Sequence, residues 1–167
     1  LGLKAGLVPL HMWMPLAHAA APVPASAVLS GAVVKVGIIG LMRFLPLDSA
    51  MPDWGQALAA AGLFTALYGV AIGITQRHPK AVLAYSSVSQ MGVIVAVLGM
   101  GWSVGDASAA SAAAFYASHH VLVKGALFLA VGLAAATAAP RLLWPLLAVS
   151  AVLGLGLGGL PLTGGAL

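Results

Sequence analysis

The chain has 167 residues, of which 62% are apolar and only 6% charged, and its mean hydropathy is +1.08. This composition excludes a soluble domain and predicts an all-α integral membrane protein. The net charge of +4 comes from few residues, so it favours membrane topology over nucleic-acid binding. The absence of cysteine excludes disulfides and thiolate-held iron–sulfur clusters. Because both ends read as interrupted membrane helices, we expect a piece of a longer protein.

The chain opens with an apolar stretch that Pro9 interrupts. Residues 1–8 precede the proline, and residues 10–21, which include His11 and His18, follow it. A proline within a membrane helix frees backbone groups that only protein or water can satisfy. The pattern therefore predicts a discontinuous helix with its break at Pro9, in which the two histidines are packing or interfacial residues rather than ligands.

Further apolar segments follow, bounded by proline, glycine or charged residues. Segments of about 20 apolar residues are long enough to cross a hydrocarbon core. They predict a polytopic helical bundle, with a short loop at residues 101–105. The predicted helices are residues 23–45, 54–76, 81–100, 106–137 and 142–160.

The loops differ in charge on the two sides of the predicted bundle. Three basic residues in loops 77–80 and 138–141 fall on one side, and Arg43 alone falls on the other, together with the three aspartates of the chain. The positive-inside rule counts lysine and arginine in short loops. We therefore expect loops 77–80 and 138–141 to be cytoplasmic.

Three ionisable side chains lie at membrane depth. Lys35 is at the midpoint of its predicted helix, and His120 and Lys124 are four residues apart, so they share one helix face. A charged residue at this depth costs about 2.5–3.5 kcal/mol and is by default a functional hypothesis. The alternative is a lysine that extends to the membrane interface. The apolar stretch after Lys124 disfavours this alternative.

Several motifs occur together in one order. They are Lys4 before Pro9, APVPASAVLSGAVVKVG at 21–37, KAVLAYSSVSQMG at 80–92, HVLVKGALFL at 120–129 and GLPLTGG at 159–165. In this combination the whole chain resembles the antiporter-like, proton-conducting membrane subunits. That family supplies the pumping subunits of respiratory complex I, the large subunits of multisubunit cation/proton antiporters and membrane subunits of energy-converting hydrogenases. The motifs leave the branch open.

The resemblance implies a fold of two inverted five-helix repeats, each with a discontinuous helix. Residues 1–46 would form the end of the first repeat, and residues 47–53 the loop between the repeats. Residues 54–167 would form most of the second repeat, truncated in its own broken helix at Pro161. The two helix breaks would then lie at Pro9 and Pro161.

The resemblance also implies the functional residues. It assigns no catalytic residue, metal ligand or cofactor. It implies a relay in which buried lysines release and regain protons, because burial favours the neutral form of a lysine. Tyr116 occupies a position where some members have a second histidine. The implied relay residues are Lys4, Lys35, His120 and Lys124, with support from Tyr116, Tyr85, Ser86, Gln90 and Lys80.

The implied function is proton translocation by a non-redox subunit of a complex like NADH:quinone oxidoreductase or hydrogenase. We expect a multi-pass protein of a bacterial-type inner membrane, with lipid and other membrane subunits as partners. Protons are the expected substrate, with Na⁺ left open, and no nucleic acid is expected. The first alternative is the large subunit of a cation/proton antiporter. The others are a structural subunit, or a haem- or quinone-binding redox subunit.

Overall fold

The computed structural model describes residues 1–137 and 139–159, and every regular element in these residues is helical. The longest elements run along one another as a bundle, and α7 packs against α3, α6 and α8. The helices are α1 Gly2–Ala5, a 3₁₀ turn Leu10–Met12, α2 Trp13–Ala20, α3 Val23–Val28, a π turn Leu29–Val33, α4 Val34–Phe44, α5 Pro52–Gly73, α6 Pro79–Val104, α7 Ser108–Ala136 and α8 Pro140–Leu157.

Four continuous helices are long and apolar enough to cross a membrane. The first comprises α3, the π turn and α4, over Val23–Phe44, and the others are α5, α6 and α7. Large apolar side chains remain exposed along them, such as Leu67 at 72% and Leu122 at 74%. Such a surface suits lipid or further membrane helices. The predicted all-α, polytopic membrane architecture is confirmed.

The predicted loop at residues 101–105 is wrong, because α6 continues to Val104. Gly101 lies inside the helix, where it is buried against α7, and a Cβ there would overlap the side chain of Ala109. The glycine therefore serves close packing rather than helix termination. The helix ends one turn later at Gly105, which has φ 74°, a left-handed conformation that glycine adopts without strain.

The first helical stretch is interrupted before Pro9. Helix α1 ends at Gly6, which has φ 76°, and regular structure resumes at Leu10. The Val8 N–H donates to the buried Thr65 hydroxyl at 3.2 Å, so a side chain of α5 satisfies a donor in the interruption. The second predicted break, at Pro161, lies outside the described residues, and the two-repeat division of the chain stays a prediction.

Helices α5 and α6 pack with their backbones in contact. A Cβ at Gly62 would lie 2.5 Å from the Ala96 nitrogen and 2.7 Å from the Gly92 oxygen. Small residues at a membrane-helix interface permit this close approach. Van der Waals packing then stabilises the helix pair, because lipid provides no hydrophobic driving force between helices. Helices α2, α4 and α7 pack against α6. Helix α6 therefore lies between α5 and the helix that carries His120 and Lys124.

Candidate functional site: a buried lysine–histidine cluster

The centre of the site is a direct contact between Lys35 and His120. Lys35 Nζ lies 2.6 Å from His120 Nδ1 and donates to the Ser30 carbonyl oxygen at 2.7 Å. Lys35 is 5% exposed and His120 is 0% exposed. The Ser30 carbonyl belongs to the π turn that precedes α4. The turn thus supplies a backbone acceptor beside the lysine, in agreement with the frequent occurrence of π turns at functional sites.

The Lys35–His120 contact permits transfer of one proton. A lysine ammonium has only donors, so a charged Lys35 requires His120 Nδ1 to accept and the imidazole proton to lie on Nε2. Transfer along the contact leaves a neutral lysine that accepts from an Nδ1–H group. His120 Nε2 is buried and has no hydrogen-bond partner among the described residues. Buried polar atoms are usually satisfied, so we expect water at this nitrogen.

Lys124 lies one turn after His120 on α7 and is fully buried. Its Nζ donates to the Leu83 carbonyl oxygen of α6 at 3.1 Å. The nearest other buried lysine of the cluster is Lys35, which contacts His120 one turn before Lys124. Like charges repel strongly in a low-dielectric interior, so moving a proton onto one of these groups changes the energy of the other.

The hydroxyls of Ser30 and Ser87 join the helix that carries Lys35 to α6, whose Leu83 carbonyl accepts from Lys124. Ser30 Oγ lies 2.8 Å from Ser87 Oγ, and Ser87 Oγ donates at 3.0 Å to the Leu83 carbonyl that also accepts from Lys124. A hydroxyl has one proton, so Ser30 must be the donor to Ser87. Lys35 bonds to the backbone carbonyl of Ser30 rather than to its hydroxyl, so these contacts place polar groups near both lysines without joining them in one hydrogen-bonded chain.

Sequence reasoning missed both Ser30 and Ser87. It selected Ser86 and Gln90 in the same polar run but passed over Ser87. The available signal was helical spacing, because Ser87 is seven residues after Lys80 and shares its helix face. Ser30 gave no comparable signal, since its contact with α6 depends on tertiary packing.

Three expected supporting residues also make polar contacts. The Tyr116 hydroxyl donates to Gln90 Oε1 and lies within hydrogen-bonding distance, 3.1 Å, of the Leu157 carbonyl oxygen. Lys80 Nζ donates to the Ala21 carbonyl oxygen, at the C-terminal end of α2, at 2.8 Å. Tyr116 and Gln90 therefore connect α7 to α6 near α8, while Lys80 connects the start of α6 to α2.

Other expected residues lie away from the cluster. Lys4 is exposed and has no hydrogen bond to the described residues. Ser86 faces α5, where it lines a 230 Å³ pocket together with Gly69 and Gln90. The Tyr85 ring lies 6.1 Å from the buried His11 ring. The roles of these residues stay predictions.

The buried lysines have no acidic partner within the chain. Its three acids, Asp48, Asp53 and Asp106, are all exposed. The described residues contain no group of His, Cys, Asp and Glu side chains with the arrangement of a metal site.

At the start of α7, hydrogen bonds from the Ser108 side chain and backbone lower the pKa of Asp106, with the backbone N–H at 2.9 Å.

Comparison with known proteins places this arrangement in a family. The profile of the NADH:quinone oxidoreductase/Mrp antiporter transmembrane family matches residues 1–167. The chain belongs to this family. The sequence-based resemblance is thereby confirmed, and the chain is an integral membrane protein.

Three curated relatives illustrate the spread of the NADH:quinone oxidoreductase/Mrp antiporter family. Hydrogenase-4 component F homolog of Methylacidiphilum infernorum is 42% identical over 134 residues, 78% of this chain and 27% of the relative. Hydrogenase-4 component B of Escherichia coli is 39% identical over 142 residues, 78% of this chain and 21% of the relative. A Na(+)/H(+) antiporter subunit of Bacillus subtilis is 37% identical over 138 residues, 78% of this chain and 17% of the relative. The chain therefore spans about a quarter or less of these proteins.

Proposed function

We propose that this chain is part of a proton-translocating, antiporter-like membrane subunit in a larger energy-converting complex. Protons pass through Lys35, His120 and Lys124, with water and the Ser30–Ser87 pair in the intervening gaps. Lys4 connects this cluster to groups elsewhere in the full-length subunit. The subunit itself carries out no redox chemistry, and the complex is of the hydrogenase or NADH:quinone oxidoreductase type.

The contact between Lys35 and His120 is the observation that carries this proposal. Two titratable side chains from different membrane helices are buried in the bundle and share a hydrogen bond. Burying such groups is costly in a membrane, so their retention favours a role in proton movement over a packing role. Lys124, one turn from His120, extends the cluster toward α6.

Coupled movement of a second cation is the next candidate function. It is favoured by the similarity to a relative that is itself named as a Na(+)/H(+) antiporter subunit. In that case the same lysines would carry the protons, and a Na⁺ path would lie elsewhere in the complex. Proton flux that depends on a Na⁺ gradient would distinguish this function from redox-driven pumping.

The proposal is tested with the full-length subunit in its complex, reconstituted into proteoliposomes that contain a pH-sensitive dye. Lys124→Ala should leave assembly intact and lower proton flux by about a hundredfold, the order expected for loss of a positioned proton-transfer group. Arg43→Gln is the matched control, because Arg43 is exposed at the end of α4. Wild-type flux in Lys124→Ala would favour a structural subunit instead.

We further propose that loops 77–80 and 138–141 face the cytoplasm of a bacterial cell. The charge distribution of the loops supports this orientation. In a cysteine-free background, His78→Cys should be protected from an impermeant thiol reagent in intact cells, whereas Asp48→Cys should react. The opposite labelling pattern would reverse the orientation without affecting the relay.

A further inference from the structure

An apolar groove opens beside the start of α6, between that helix, α7 and α8. Its volume is about 360 Å³, which falls in the range of roughly 300–1,000 Å³ for pockets that hold small molecules. Its walls come from all three helices, and Arg77, just before α6, lies at one end. The wall residues include Leu83 of α6, Leu127 and Val131 of α7 and Ser150 of α8.

The groove is charged at one end and apolar along its walls. The Ser150 hydroxyl donates to the Leu146 carbonyl oxygen within α8 at 2.8 Å, so its proton is already used. Arg77 is exposed and has no hydrogen bond to the described residues. A guanidinium group binds a phosphate through two parallel hydrogen bonds. The matching ligand therefore has a phosphate group joined to a long apolar part.

The charge around the groove selects an anionic ligand. Helices α6 and α7 are neighbours joined by the short turn at residues 105–107, so α6 begins at the end of the bundle where α7 ends. Arg77, Lys80 and Arg141 therefore lie at the same end, and the three acids of the chain lie outside these loops. Basic pockets between membrane helices bind the headgroups of anionic lipids.

The size of the groove favours a flexible chain over a further helix. One turn of a helix about 10 Å across and about 5.4 Å high occupies about 420 Å³, more than the groove holds. A free phosphate ion would leave the apolar walls uncovered. An acyl chain covers them, and its headgroup stays beside Arg77 at the start of α6.

We propose that this groove binds an anionic phospholipid, with its phosphate on the Arg77 guanidinium and an acyl chain between α6, α7 and α8. The three helices share only a small apolar cluster here, which includes Leu83, Leu127 and Leu157. The lipid adds apolar contacts to that cluster and so strengthens the packing of α8 on the other two helices. This role is separate from proton transfer and does not rest on the proposed function.

The test uses the full-length subunit in its complex, reconstituted into phosphatidylcholine vesicles that contain a photoactivatable phosphatidylglycerol with a diazirine on one acyl chain. After illumination, mass spectrometry of the digested subunit should find the label in residues 127–131 and 146–150. Arg77→Gln should lower this labelling about tenfold, the order expected for loss of a hydrogen bond to a charged group. Photoactivatable phosphatidylcholine with the same chain should label wild type as weakly.

Unlabelled phosphatidylglycerol should compete with the probe, and inorganic phosphate should not. Competition by inorganic phosphate would make this a phosphate site and overturn the lipid assignment. Equal labelling by the two photoactivatable lipids would overturn the preference for an anionic headgroup.

Two pairs of variants separate the groove from general surface charge. Arg43→Gln is the control for Arg77→Gln, because Arg43 is an exposed arginine at the end of α4, and it should keep wild-type labelling. Val131→Phe fills the groove without changing charge and should lower labelling. Val152→Phe enlarges an exposed side chain of α8 that does not line the groove, and should leave labelling unchanged.

Wild-type labelling in Arg77→Gln or in Val131→Phe would overturn the proposal, since the lipid would then lie elsewhere on the surface. If Arg77→Gln fails to assemble, the Val131→Phe result decides the question. Labelling does not depend on proton flux. Wild-type flux in Lys124→Ala would therefore defeat the proposed function and leave the lipid site, whereas absent labelling would remove the lipid site alone.

Discussion

Lys35 and His120 are 85 positions apart in the chain, and their side-chain nitrogens Nζ and Nδ1 lie 2.6 Å apart in the interior of the bundle. The contact joins the helix Val23–Phe44 to α7 through two groups that each exchange protons with water when exposed. Neither group has an acidic partner among the described residues, and one proton between the two nitrogens is enough for their hydrogen bond. The contact is therefore an interhelical hydrogen bond between two titratable groups, and we propose that it is also a route for a proton.

Replacing Lys35 should separate the proton-transfer role from the charge. Lys35→Ala should lower proton flux in proteoliposomes by about a hundredfold while the complex still assembles. Lys35→Arg should also impair flux, because arginine retains its charge and cannot release its proton. Full activity of the arginine variant would contradict a role for Lys35 in proton release.

Ser87→Ala should have a smaller effect than loss of a lysine. It removes the acceptor of the Ser30 hydroxyl and a donor to the Leu83 carbonyl, at a cost in stability of about 1 kcal/mol for such bonds in membranes. Flux should fall only severalfold, because water can occupy the vacated space. Ser118→Ala is the matched control, since Ser118 is exposed and bonds only to the preceding turn of α7. Equal effects of the two variants would remove the serine pair from the path.

Gly62→Leu should weaken the bundle without touching a titratable group. A side chain at Gly62 would meet the backbone of α6, so the two helices must separate, at a cost of about 1–3 kcal/mol or more. Gly125→Ala in α7 is the control, because a Cβ there meets nothing within 4 Å. Denaturant titration in mixed micelles should show a lower midpoint for the first variant only. Equal midpoints would indicate that α5 and α6 are free to move apart.

The start of α7 should respond to acid through Asp106. Its pKa is lowered by the hydrogen bonds from Ser108, so the carboxylate stabilises the helix start above its ordinary pKa of 3.8. This stabilisation is lost as the pH falls below that value, through the lowered pKa of the folded state. Hydrogen exchange of the first-turn amides of α7 should accelerate over that range relative to Asp106→Asn, which accepts the same bonds but does not titrate. Identical pH profiles would show that the carboxylate does not cap this helix.

The sequence by itself determined the membrane class, the four helices long enough to cross a membrane and the burial of Lys35, His120 and Lys124. Apolar run length decides which segments cross a bilayer, and a lysine within such a run stands out because its burial is costly. Helical period alone placed His120 and Lys124 on one face of α7. Those features are local, so they can be read without knowing how the helices pack.

Only the tertiary structure decided which of the polar residues meet. The approach of Ser30 to Ser87, and of Lys35 to His120, depends on the crossing of helices that are remote in the chain. The continuation of α6 through Gly101 has the same origin, because contact with α7 gives that glycine a packing role that its local sequence does not reveal. His18 likewise reads as a packing residue from sequence. Its stacking contact with Phe128 exists only when α2 and α7 are assembled.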